Sequence, residues 1–156
     1  MAYLKNKEIA KFFNFTNVVS KSELPKYTTD YVFDDERVLV GYKTRNDFGI
    51  FTDSKIVLFD NSYKMGIAKQ VFVIPYTSLT AVAVVFKLTG AEILCMLDGG
   101  NQLRLKFAHM DNLDKLRLRL LYTVIIRVVN GQKVDEKIVK KLMENDITFD
   151  KKKEGM

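Results

Sequence analysis

Between Glu36 and Phe107 the chain passes through seven short stretches rich in β-branched and aromatic residues, with no helix-period segment between them. The stretches are Arg37–Lys43, Phe48–Thr52, Ile56–Phe59, Lys69–Tyr76, Thr80–Lys87, Glu92–Leu97 and Gln102–Phe107. Short runs of this composition bounded by Gly, Asp, Asn and Ser read as strands joined by turns. Parallel pairing would need a long crossover between neighbours, usually a helix, so the pattern predicts an antiparallel meander. Asp98-Gly99-Gly100-Asn101 is the clearest hairpin signal, because glycine supplies the positive φ that tight hairpin turns demand.

The period changes at Asp111. Leu113, Leu116, Leu120, Leu121, Val124 and Val128 recur at helical spacing, with Lys115, Arg117, Arg119 and Arg127 mostly off the stripe. Asp111 or Asn112 suits an N-cap, Asp114 lies in the first turn where the helix dipole favours an acid, and Asn130-Gly131 supplies a stop. A long amphipathic helix covering a sheet follows. A weaker periodic segment runs from Val134 to Asn145. Near the start, Ile9, Phe12 and Phe13 fall at i, i+3, i+4, which predicts a short amphipathic helix over 4–16. The expected organisation is an N-terminal helical extension (1–27), a β-rich domain (28–131) and a C-terminal helical tail (132–156).

One Cys and one His leave little for catalysis or metal binding. Cys95 sits in an apolar run where a thiol packs rather than reacts, and His109 has no second His or nearby Cys at ligand spacing. No Gly-rich phosphate loop, His-Glu-x-x-His or Gly-x-Ser-x-Gly occurs, so the expectation is a chain without catalytic residues, metal or cofactor. The net charge of +6 is spread along the chain, and its one basic run, Lys151–Lys153, is flanked by Asp150 and Glu154, which argues against a nucleic-acid face. The N-terminus lacks a secretory pattern, and the longest apolar stretch, Ala81–Phe86, is far short of a membrane span; the expected location is the cytoplasm.

Three stretches carry a resemblance: Glu36-Arg37-Val38-Leu39-Val40-Gly41-Tyr42-Lys43 followed by Arg45-Asn46-Asp47; Ile50-Phe51-Thr52-Asp53-Ser54-Lys55-Ile56-Val57-Leu58-Phe59-Asp60; and Ile74-Pro75-Tyr76-Thr77-Ser78-Leu79. Together they closely resemble the bacterial pleckstrin-homology (PH)-like family over roughly residues 30–130, although Asn46 separates Arg45 from Asp47 and Lys55 stands where Arg is usual. The resemblance implies a mainly β fold with flanking helices: a seven-stranded antiparallel barrel closed by a long C-terminal helix. It also makes Lys43 and Arg45 similar to the first-hairpin cations with which PH domains hold phosphoinositides, and adds weight to self-association.

Fold does not carry function. The expected role is a non-catalytic module that binds a protein partner or assembles as a homo-oligomer. An anion or membrane-lipid headgroup held by Lys43 and Arg45 is the alternative, and a small bacterial or phage inhibitor of a larger complex is a third. Ala81–Phe86 supplies the physical reason for the first: a strand apolar on both faces must have its second face covered by the terminal helices or by another chain.

Overall fold

The structure, a computed structural model, describes residues 13–44, 47–60 and 70–144. Among these residues nine strands form two sheets. They are β1 (Phe13–Phe15), β2 (Asn17–Val19), β3 (Val38–Lys43), β4 (Phe48–Thr52), β5 (Lys55–Asp60), β6 (Gln70–Pro75), β7 (Leu79–Phe86), β8 (Ala91–Leu97) and β9 (Gln102–Phe107). One sheet has the order β1-β9-β8-β7 and the other β2-β3-β4-β5-β6. The β1–β9 pair is parallel and the remaining pairings are antiparallel. Helix α1 (Lys26–Thr29) is a single turn, α2 (Asn112–Val129) is the long helix, and α3 covers residues 136–144.

The seven expected runs are β3 to β9, within a residue or so at each end, and the mainly β class with flanking helices is observed. Two expectations are corrected. The strands form two separate sheets instead of one closed barrel of seven. Residues 13–15, expected to close a helix, are a strand; residues 1–12 lie outside the described residues. Phe13 and Phe15 are buried while Asn14 between them is exposed, and Val18 and Val19 follow, so period 2 with β-branched neighbours overrides the helical spacing of Phe12 and Phe13. The chain bends at Thr16, whose amide donates to Lys43 O at 2.9 Å, and so gives one strand to each sheet. This bend joins the sheets along one side.

The main core lies between the sheets and under α2. Phe15, Tyr42, Phe51 and Phe107 form its aromatic centre, with Tyr42 and Phe107 centroids 4.8 Å apart. Helix α2 lays Leu118, Leu121, Val124 and Ile125 over it, packed against β7 and the turn at Tyr76–Ser78. Both ends of α2 are closed by local hydrogen bonds. Asp111 accepts from Asp114 N at 2.8 Å and the Asp114 carboxylate accepts from Asp111 N at 3.2 Å. At the other end Gly131 N donates to Val128 O and Gln132 N to Arg127 O, the paired bonds of a Schellman stop. In α3, Val139 and Leu142 join the same core. The rest of the expected tail, 145–156, lies outside the described residues.

The two sheets differ in what covers their outer faces. Ile50, Val57 and Phe59 on the outside of the five-stranded sheet are fully buried under Leu24 and Tyr27, and the rings of Tyr27 and Tyr31 meet Phe59 edge-on at 5.5 and 5.4 Å. The outer face of the four-stranded sheet carries Ala81, Ala83, Val85, Leu94 and Met96 in register, beside Glu92, Gln102, Arg104 and Lys106. Ala81, Ala83 and Val85 are exposed there.

Gly90 shows how tightly the β7–β8 turn is held. A Cβ at this position would run into Phe107 O, a backbone atom that cannot move aside without disturbing β9. Gly90→Ala is expected to lower stability by about 1–3 kcal/mol, the usual cost of forcing extra volume into packed structure. Urea unfolding measures it; an unchanged midpoint would refute the close approach.

Candidate functional site

The residues of the three sequence stretches meet in one polar cluster at the β4–β5 turn. Glu36, just before β3, receives the Thr52 hydroxyl at 2.5 Å, the Ser54 hydroxyl at 2.6 Å and the Phe33 amide at 2.9 Å, and pairs with Lys55 Nζ at 3.0 Å. Burial alone would push the Glu36 carboxyl up; the bonds from Ser54, Thr52, Phe33 and Lys55 outweigh it and hold the group below the usual carboxylate value. Lys55 Nζ also lies 4.2 Å over the Phe33 ring, and the ion pair is nearly closed to solvent. Thr52 turns the hairpin itself, its Oγ1 accepting from the amides of Ser54 and Lys55. From the third stretch, the buried Tyr76 hydroxyl donates to Thr52 O at 2.7 Å, and Pro75 ends β6.

Arg37 carries the cluster outward. Its Nε donates to Asp53 at 3.0 Å, and its two terminal nitrogens grip Glu136 on α3 at 2.6 and 2.9 Å. Both carboxylate oxygens of Glu36 are engaged from within the chain, so the cluster acts as a fastening.

The other sequence candidates fall elsewhere. Lys43 ends β3, half-buried, opposite Asn17 and Phe48; Arg45 lies outside the described residues. His109 is exposed between β9 and α2 in a left-handed conformation, φ 57°. Cys95 is buried on the inner face of β8, and burial pushes its thiol up to about 12. Cys95 and His109 are thus on different structural levels, one in the core and one on the surface. No cluster of three metal-ligating side chains occurs among the described residues. No helix among them is long and apolar enough to cross a membrane.

The model of the bacterial PH domain matches residues 8–125. The chain belongs to the bacterial PH domain family. Solved structures with this PH fold include a DUF1696-family protein with a pleckstrin-homology domain from Shewanella loihica PV-4, 19% identical, covering 73% of this chain and 98% of that one at a TM-score of 0.57. A PH-domain-containing protein from Exiguobacterium sibiricum 255-15 is 18% identical, covering 75% and 63% at 0.55. A pleckstrin-homology domain from Shewanella amazonensis SB2B is 20% identical, covering 71% and 91% at 0.50. At these identities the likeness speaks for fold alone. No curated protein matches the chain.

What this PH domain leaves open is strand edge. Among the described residues β7 ends its sheet, and so does β6 in the other. Lys87 N donates to Gly90 O, which fixes the alternation: Val85, Ala83 and Ala81 turn their backbone groups to β8, and Val82, Val84 and Phe86 turn theirs outward. The Tyr122 hydroxyl meets one of these, Val82 O, at 3.2 Å. Along β6, Val71–Pro75 border an apolar groove of about 350 Å³ with Phe13, Leu97 and Leu103 across it. Sequence reading named the apolar character of Ala81–Phe86. The β6 edge was missed, because nothing in Gln70–Pro75 distinguishes an edge from an inner strand except the proline at its end.

Two outcomes test this arrangement. Glu36→Gln removes one charge of a buried pair and is expected to cost about 3–5 kcal/mol. Because the folded Glu36 value is depressed, its contribution is fully present above the unfolded value near 4.5 and is lost as pH falls through the folded one. The acid limb of a stability-against-pH curve should therefore flatten in Glu36→Gln; an unchanged limb would remove Glu36 from its central place. Separately, native Cys95 should resist thiol reagents at pH 8 and react at the rate of global unfolding, as the raised thiol and its burial require. Fast labelling of the folded chain would contradict that burial.

Proposed function

We propose that this PH domain is a non-catalytic, cytoplasmic interaction module that binds protein, a second copy of itself included, by strand addition at β7 and contact with the outer face beside it. The observation that carries the reading is the contrast between the two sheets. The five-stranded sheet has its outer face covered by residues 24–31, whereas Ala81, Ala83, Val85, Leu94 and Met96 on the four-stranded sheet have no such cover among the described residues. β7 itself is eight residues long and holds no charge and no proline. Edges of that length are normally blunted by lysine, proline or a covering element; here α2 packs against β7 and Tyr122 takes Val82 O, and the remaining outward groups of Val84 and Phe86 are suited to receiving a strand. Backbone groups then supply affinity and the alternating side chains supply selection. The occupied cluster around Glu36 offers nothing comparable to a substrate.

The test uses the full chain, tagged and purified from its host's lysate, with light scattering of the eluate. The wild type is expected to run at a multiple of 18.0 kDa or with a stoichiometric partner. Ala83→Arg with Val85→Lys places two cations on the bare face; both residues are exposed, so stability should stay within about 0.5 kcal/mol per site while association is lost. Lys43→Glu with Arg45→Glu should leave association intact. A wild type that is monomeric and partnerless, or association that survives the β7 changes, would overturn the reading. Loss on the Lys43 and Arg45 changes instead would favour the headgroup alternative.

A further inference from the structure

We propose that residues 4–12 occupy the groove beside β6 and fill it with Ile9 and Phe12, so that this opening between the sheets is taken from within the chain. The inference goes beyond strand addition at β7 and concerns the other sheet's edge.

The groove is a gap between the two sheets. Val71–Pro75 form one wall; Phe13, Leu97 and Leu103, from β1, β8 and β9, form the other, around about 350 Å³ of apolar space. Apolar surface of this kind gains by being covered. The β6 edge itself has little to give an added strand. Tyr76 N donates to Ser54 O at 3.0 Å, so by the alternation of an antiparallel pair Phe72 and Ile74 turn their backbone groups to β5, and Val71, Val73 and Pro75 turn theirs outward. Pro75 has no N–H to offer, and its carbonyl accepts from the Ser78 hydroxyl at 2.7 Å. Val71 and Val73 alone are too short a stretch for a strand, so the groove is suited to side chains and not to a ladder.

Chain continuity names the occupant. Phe13 is the first described residue, and its ring stands edge-on to Phe72 at 6.1 Å, so the preceding residues join the domain at the groove wall itself. β1 runs parallel to β9 with Phe13 opposite Leu105, and this direction aims the chain before Phe13 at Leu103, which lies on the same wall. Ile9 and Phe12 are the large apolar side chains nearest that entry, three residues apart and so on one face of a helical turn. Lys5, Lys7 and Lys11 are interspersed with them, and exposed Asp98, whose amide donates to Ser78 O, supplies an acid at the Leu97 end of the groove. A segment tethered this close meets the groove at high effective concentration, an advantage that no free partner has.

The experiment follows thiol labelling of the full chain carrying Ser78→Cys, a nearly isosteric change on the groove wall. Labelling at position 78 is expected to run about tenfold slower than in Leu88→Cys, a site 92% exposed, and to regain that factor when Ile9→Asp and Phe12→Asp are added. It should not depend on protein concentration. Native Cys95 is buried, and its silence in every variant shows that the groove has opened and not the fold. Should the two aspartates unfold the chain, Ile9→Ala in their place is expected to speed labelling in the same direction with Cys95 still silent. Fast labelling at position 78 in the otherwise unchanged chain, or labelling that neither set of changes speeds, would overturn the proposal. So would protection that fades on dilution, which would give the groove to a second copy, or protection present only in a complex with a foreign protein.

Discussion

The buried carboxylate of Glu36 ties residues 33–36 to the β4–β5 turn, beyond what β3–β4 pairing and the Arg37–Asp53 bonds already hold. It takes hydrogen bonds from Phe33 N, Thr52 and Ser54 and pairs with Lys55, all within a setting that would otherwise reject its charge. A buried pair of this kind adds little net stability compared with an apolar substitute, but losing one member leaves a stranded charge. Its effect is therefore on specificity. It allows one placement of residues 33–37 against the β4–β5 turn, and that placement sets where β3 starts. Thr52 then anchors Tyr76 at the corner between the sheets, and Arg37 reaches α3. The exposed Arg37–Glu136 bridge contributes little energy by itself. What keeps α3 in place is the burial of Val139 and Leu142.

Much of this could be read from residues in order. β3 to β9 announce themselves because β-branched and aromatic runs alternate with turn residues, and the Gly99–Gly100 turn shows the positive φ values, 92° and 88°, that its glycines foretold. α2 carries both its caps in the sequence. The strands β1 and β2 were hidden: six residues split by a bend give too short a period to outweigh Ile9, Phe12 and Phe13 at helical spacing. The division into two sheets was hidden as well, since it depends on pairing partners and on the register shifts at Val38/Val40 and Leu79/Ala81, which leave no local mark. In the cluster, the hydroxyl of Thr52 was legible as a turn-former because its partners are two and three residues away. Glu36 was legible only as part of a resemblance, because its partners Thr52 and Ser54 lie 16 and 18 residues on.

The same logic separates the fastening from the surfaces that remain for a partner. Polar groups in the conspicuous sequence stretches are engaged with one another, so the motif-rich turn is bound up in holding the fold. Covering one sheet with residues 24–31 removes its outer face from consideration, and α2 and α3 occupy the core side of the molecule. Among the described residues, what remains uncovered is the β6 edge with its groove, and the edge and outer face of β7. Val82, Val84 and Phe86 direct backbone groups outward along the β7 edge. Val82 O is taken by the Tyr122 hydroxyl, so the outward groups of Val84 and Phe86 are the ones suited to a strand. Backbone geometry therefore sets where along β7 a neighbouring chain would pair, and the apolar outer face beside it sets what side chains that neighbour would bring.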